Sequence, residues 1–133
     1  MESMLKTKKQ GLLVVLSGPS GCGKNTIINK VMENNKNIWL SISCTSRAPR
    51  GEEKNGVNYY FLSRDEFEQE IANDEFLEYA EYSKNYYGTP KKYIKEHLDN
   101  GEDVILEIEI QGALKVKEKI KESVFIFILP PSM

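Results

Sequence analysis

Residues 18–26, Gly-Pro-Ser-Gly-Cys-Gly-Lys-Asn-Thr, place three glycines and a lysine at a spacing suited to holding an anion. Without a Cβ, Gly18, Gly21 and Gly23 let the backbone take positive φ and approach a charged group closely. Main-chain amides and the positive end of a following helix then point at phosphate oxygens. Lys24 would reach the outer phosphates of a nucleoside triphosphate. Gly18-x-x-x-x-Gly23-Lys24 is complete, but Asn25 stands where the general pattern wants Ser or Thr, so Thr26 is the hydroxyl expected to meet Mg²⁺. The remaining members, Pro19, Ser20 and Cys22, complete the turn, Cys22 as a small residue tolerated there.

Two further groups carry chemistry. Arg47 and Arg50, three positions apart in a polar stretch, could clamp a second phosphate bidentately, or could be solvated surface arginines. Tyr59, Tyr60, Tyr86 and Tyr87 are either core aromatics or hydroxyl donors to an anion. Glu78 alternates with apolar neighbours, and a carboxylate there could accept two N–H bonds from guanine's Watson–Crick edge. Adenine cannot donate that pair, so a buried carboxylate left unpaired would reject it. The alternative is a surface glutamate on a half-buried strand. Glu107 and Glu109 lie where folds with such a loop place an acid that helps hold Mg²⁺; the alternative is that one of them simply faces solvent. His97, the sole histidine, sits among charged residues of a predicted helix and carries no expected chemistry.

Elements that would position these groups follow from the hydrophobic pattern. Leu12–Leu16 reads as a buried strand before the loop, and Ile27, Ile28 and Val31 fit one face of the helix after it. Ile38–Ile42 reads as a second strand and Tyr59–Leu62 as a short one. Ser63-Arg64-Asp65-Glu66 is a capping box that opens a helix with Phe67 and Ile71 on one face. Residues 76–83 and 86–87 read as further strands. Thr89-Pro90 predicts a cap followed by proline at the first helical position, with Gly101 closing that helix. Asp103–Glu109 is a strand, residues 111–121 a helix, and the unbroken apolar run Val124–Leu129 suits a parallel strand covered on both faces. The frame β-α-β, then α-β-α-β, predicts an α/β doubly wound parallel sheet of the P-loop type, with ligands at the carboxyl ends of its strands. Residues 1–10 form a polar lead-in, 11–42 and 90–133 the core, and 43–89 a small mixed α/β insertion.

The chain's 133 residues, 40% of them hydrophobic and 29% charged, suit one ordinary globular domain. A net charge of −2 argues against a nucleic-acid surface driven by bulk electrostatics. No apolar stretch approaches a membrane span, and no signal-like segment follows the basic lead-in. Two cysteines make no disulfide framework, so a reducing cytoplasm is the expected compartment.

Six ordered motifs together resemble the guanylate kinases. They are Leu16-Ser17-Gly-Pro-Ser-Gly-x-Gly-Lys, Ser43-x-Thr45-Ser46-Arg47-x-Pro49-Arg50, Gly56-Val57-Asn58-Tyr59-Tyr60-Phe61, Phe76-Leu77-Glu78, Asn85-Tyr86-Tyr87-Gly88-Thr89 and Leu106-Glu107-Ile108-Glu109-Ile110-Gln111-Gly112. The resemblance implies transfer of a phosphoryl group from ATP to GMP, with Mg²⁺, giving ADP and GDP. It implies that Arg47, Arg50, Tyr59 and Tyr87 hold the GMP phosphate and that Ser43, Glu78 and Thr89 read the guanine. It also implies that Glu53, Gly88 and Glu107 belong to the acceptor site. Guanylate-kinase-like domains that bind phosphopeptides without catalysis are the alternative, and the intact Lys24 loop favours the enzyme. Members of the family continue well past Met133 into an arginine-bearing lid. The resemblance therefore implies a shortened chain with at most trace kinase activity, since such an arginine is worth about 10³–10⁵ in rate. It also implies an uncovered apolar strand at 124–129.

Overall fold

The computed structural model describes residues 10–19 and 23–128. Strand β1 (Leu13–Ser17) is followed by helix α1 (Lys24–Asn34), β2 (Ile38–Leu40), β3 (Cys44–Thr45) and β4 (Tyr60–Phe61). Then come α2 (Arg64–Ala72), β5 (Phe76–Tyr82), β6 (Asn85–Pro90), α3 (Lys91–Asp99), β7 (Asp103–Glu107), α4 (Ile110–Lys119) and β8 (Val124–Phe127). Four strands form an all-parallel sheet in the order β2-β7-β1-β8. The other four form a mixed sheet in the order β4-β3-β6-β5.

Alternation along the parallel strands sends side chains to two separate cores. Leu13, Val15, Val104 and Leu106 face one side, where Ile94 of α3 and Ala113 and Val116 of α4 cover them. Leu16 and Ile105 face the other side and meet Ile28 of α1. Helices on both faces of a parallel sheet make the doubly wound architecture that the pattern predicts. Leu77 of β5 belongs to the first of these cores, so the mixed sheet is tied to the parallel one through a buried side chain. Lys119 Nζ adds a 2.6 Å bond to the Leu77 carbonyl.

The mixed sheet has its own aromatic core. Phe67 of α2 is fully buried and stacks on Phe76 at 4.4 Å and on Tyr86 at 4.9 Å between ring centres. Gly88 lies beneath this stack, and a Cβ there would come within 3.0 Å of both Phe67 and Phe76. The resemblance gave Gly88 to the acceptor site, and the packing supplies a structural reason for glycine as well.

Three local expectations need correction. Thr89 does not cap α3: Thr89 and Pro90 remain in β6, and Pro90 itself occupies the cap position. The Thr89 hydroxyl is already donated to Glu78 across the strand pair, which takes it from the helix. β2 ends at Leu40, although Ser41 still donates to the Ile105 carbonyl. Among the described residues β8 is an edge strand whose Val124, Ile126 and Phe127 are exposed, so this part of the apolar run is not covered on both faces as its pattern suggested, but is uncovered as the resemblance implied.

The capping box at α2 is complete. Glu66 N–H donates to Ser63 Oγ at 3.0 Å, and Ser63 N–H donates to Glu66 Oε1 at 2.7 Å. Replacing Ser63 with alanine is expected to cost about 1 kcal/mol, read as a lowered denaturation midpoint at unchanged slope. An unchanged midpoint would show that Phe67 packing alone holds the helix.

Candidate functional site

Lys24 opens α1, directly after Gly23, whose φ of 85° is a left-handed turn that glycine adopts without strain. Its ammonium donates to the Gly18 carbonyl at 2.8 Å and lies 3.3 Å from Glu107 Oε2 at the end of β7. No acidic residue stands in the first turn of α1, so its positive end has no carboxylate of its own there. Asn25 and Thr26 are exposed on that turn. Ser20, Gly21 and Cys22 lie outside the described residues. Ser17, Gly18, Pro19 and Lys24 line a cleft of about 390 Å³ with Glu109, Ile110, Gln111 and Phe127. Ser17 Oγ is fully buried there, with no hydrogen-bond partner among the described residues.

A second cation centre lies on the mixed sheet. Arg47 is only 8% exposed. Its guanidinium donates to both carboxylate oxygens of Glu53, at 3.0 and 3.2 Å, and to the Ala48 carbonyl at 3.1 Å. It lies 5.1 Å from the ring centre of Tyr59, whose edge meets Tyr87 at 6.0 Å. Glu53 also accepts the Arg50 main-chain N–H at 2.9 Å. The Arg47 guanidinium and then the Arg50 amide hold the Glu53 carboxyl below its ordinary range, while Glu53 raises Arg47. The two arginines are therefore unequal. Arg47 is a preformed, oriented fork, whereas Arg50 is exposed and contributes its amide to the turn.

Glu78 and Thr89 are cross-strand partners in the β5–β6 hairpin, and Thr89 Oγ1 donates to Glu78 Oε2 at 2.8 Å. Burial raises the Glu78 carboxyl; the Thr89 hydroxyl, Lys115 and Lys119 oppose the shift, and Glu109 adds to it. Glu78 lines a smaller cleft, about 160 Å³, together with Ser43, Tyr87, Gly88, Glu109 and Gly112. Glu109 thus lines both clefts, so the cleft at Lys24 and the Glu78 cleft adjoin at this residue.

Position along the chain leaves Glu107 and Glu109 equivalent, the resemblance assigns only Glu107 to the acceptor site, and the structure separates the two. Glu107 pairs with Lys24, whereas Glu109 stands at the cap of α4 and accepts the Tyr82 hydroxyl. That bond, then burial, pushes the Tyr82 phenol up to about 12. Tyr82 and Gly112 were missed as lining residues. A glycine interrupting the helical run after Glu109 was the available signal. His97 contacts Glu102 at 2.6 Å and stacks on Trp39 at 4.0 Å, joining the end of α3 to the start of β7. Cys44 is buried, with its thiol pushed up to about 12 by burial, which makes it unreactive.

Residues 10–133 match the family model described as guanylate kinase. The chain is 62% identical over 125 residues to a guanylate kinase of Clostridium acetobutylicum, covering 94% of this chain and 59% of that protein. It is 56% identical over 133 residues to one from Clostridium perfringens, covering 100% of this chain and 62% of that protein. Among solved structures, the crystal structure of guanylate kinase from Anaplasma phagocytophilum matches with a TM-score of 0.76 and 42% identity, over 94% of this chain and 63% of that one. The chain thus spans about three fifths of the length of these relatives.

The Glu78 shift carries a sign that can be tested. Its folded-state pKa lies above the ordinary value of 4.5. The folded chain therefore holds this proton when the unfolded chain has released it, and stability falls as pH rises from the unfolded to the folded pKa. Glu78→Gln, which has no charge to desolvate, is expected to be at least as stable as the parent at pH 7. Its advantage should shrink towards pH 4, as read from denaturant unfolding at both pH values. A variant less stable at pH 7 than at pH 4, relative to the parent, would show that the carboxylate is not penalised by burial.

Proposed function

The chain belongs to the guanylate kinase family, and on that premise we propose that it binds ATP at the Lys24 loop and GMP at the mixed sheet. Residues 11–42 and 90–133 then act as the phosphate-loop core and residues 43–89 as the acceptor unit. The reaction of the whole protein is transfer of the ATP γ-phosphoryl group to the GMP phosphate, yielding ADP and GDP. The observation that carries this reading is the preformed bidentate pair between buried Arg47 and Glu53 beside Tyr59 and Tyr87. A phosphate offers the same planar pair of oxygens as the Glu53 carboxylate, and a guanidinium already held in place loses little rotamer freedom on accepting it.

Each chemical role follows from its place. Lys24, released from the Gly18 carbonyl and Glu107, reaches the outer phosphates, and its ammonium offsets charge building on the transferring group. From the motif alone, the backbone N–H groups of loop 18–23, in which Pro19 has none to give, would cradle the phosphates. Arg47, with Tyr59 and Tyr87, fixes the GMP phosphate. Ser43, Glu78 and Thr89 select the base, with Glu78 kept in place by the Thr89 hydroxyl. Positioning two anions against each other is most of the catalytic work, since the protein forms no covalent intermediate.

Thr26, exposed on the first turn of α1, offers a hard oxygen of the kind Mg²⁺ takes beside phosphates and water. Thr26 would supply the chain's hydroxyl to it, and the ion would neutralise phosphate charge when bound. Among the described residues no helix is long and apolar enough to cross a membrane.

Titration calorimetry with separate variants tests the two sites. Arg47→Lys forfeits one of two charge-assisted bonds, each worth about 1.5–3 kcal/mol, so the GMP Kd is expected to rise about 10- to 100-fold. ATP binding should be unchanged by that variant and abolished by Lys24→Ala. The parent should bind GMP in preference to AMP and UMP. Equal losses of both nucleotides on Arg47→Lys, or indifference to the base, would refute the assignment.

A further inference from the structure

Gly112 lies inside α4, buried, at a position where alanine would make a better helix. Its reason lies across the cleft. A Cβ placed on Gly112 would sit 2.6 Å from Glu78 Oε1 and 3.2 Å from Glu78 Cδ, against an ordinary carbon contact of about 3.5–4.0 Å. The nearest other atom, Ile108 Cδ1, would be 3.4 Å away and can yield slightly. The second oxygen of the same carboxylate accepts the Thr89 hydroxyl at 2.8 Å. The Glu78 carboxylate is therefore held between a hydroxyl of the mixed sheet and the bare face of a helix that covers the parallel sheet.

We propose that Gly112 is a positioning residue for base selection: by lacking a Cβ, it lets α4 set the plane of the Glu78 carboxylate in the cleft. The proposal rests on the acceptor reading above and adds a residue from the opposite layer to it. The atom that a methyl group would strike is the far end of a flexible side chain, so the backbone need not move. Glu78 rotates instead, gives up the Thr89 bond, and turns its two acceptor oxygens away from a paired N–H edge. Hydrogen bonds weaken steeply once misaligned, so a rotation is enough to lose the pair. Fold and base recognition thus respond to Gly112→Ala in opposite senses, which a merely structural glycine would not produce. The bond between Tyr82 and Glu109 supplies a second tie between β5 and the start of the same helix, holding the two layers in the register that this contact needs.

The test compares the 133-residue chain with Gly112→Ala, Glu78→Asp and the double variant, by calorimetry with GMP and ATP, thermal melting, and the ¹³C resonance of the Glu78 carboxyl. Gly112→Ala is expected to raise the GMP Kd about tenfold or more, the loss of a bond to a charged group. ATP affinity should stay the same, and the melting temperature should not fall. In the Glu78→Asp background, where the shorter side chain no longer reaches α4, adding Gly112→Ala should change the GMP Kd by less than about twofold. The Glu78 resonance should shift in Gly112→Ala without any ligand. GMP affinity unchanged by Gly112→Ala, parallel loss of ATP binding and stability, or a full loss persisting beside Glu78→Asp would each overturn the proposal. Should the parent chain itself fail to bind GMP, the acceptor reading fails. The resonance still decides the role of Gly112 in that case: a shift upholds the steric control of Glu78, and an unmoved signal overturns it.

Discussion

Charge withdrawn from water must be answered by a neighbour, and this requirement shapes both cation centres. Lys24 is answered by Glu107 and a carbonyl, and Arg47 by Glu53 and a carbonyl. Neither pair is solvated well enough to be a casual surface contact, since Lys24 is 15% and Arg47 8% exposed at the side chain. Breaking a buried pair by removing one partner is costly, whereas exchanging one anion for another keeps the charge balanced. A phosphate ligand is such an exchange. On the proposed reading, the carboxylates act as stand-ins that hold each cation ready and oriented.

The parallel sheet and the mixed sheet divide the work accordingly. β1 carries the phosphate loop at its carboxyl end, where the topology of an open α/β sheet puts ligands. β3, β5 and β6 carry Glu78, Thr89 and the segment leading to Arg47. What joins the layers is apolar and steric: Leu77 buried against the first core, Lys119 bonded to its carbonyl, and α4 pressed against the Glu78 side chain. Glu109, lining both clefts, stands at that junction. The geometry around Glu78, where the proposed base selection would occur, is consequently a property of the junction and not of either sheet alone.

Edge strand β8 has a different status. It pairs with β1 along one side only, and its exposed Val124, Ile126 and Phe127 form an apolar margin. Exposed, unpaired strand edges of this kind are templates for association. Its contribution to the described core is limited to partly buried Phe125, so the sheet's interior rests on β1 and β7.

Much of this was legible from residue order alone, because the governing interactions are local. The glycine-rich loop is recognised from consecutive residues, and the Ser63–Glu66 box closes within one turn. The apolar runs within 12–16 and 103–109 marked β1 and β7 as strands without reference to partners. Where competition between distant groups decided the outcome, the chain order misled or fell silent. Thr89-Pro90 has the form of a helix start, yet the Thr89 hydroxyl is claimed by Glu78 once the hairpin registers. The apolar run at 124–129 reads as interior, yet in β8 an edge position leaves Val124, Ile126 and Phe127 exposed. Glu107 and Glu109 look equivalent two residues apart, until the end of a strand and the start of a helix send them to Lys24 and Tyr82. Residue order thus determined the kind of anion site and the α/β frame, through propensities and spacings that act within a few residues. Only the packing of α4 on β5 decided which carboxylate stands where, because that depends on steric contact between atoms far apart along the chain.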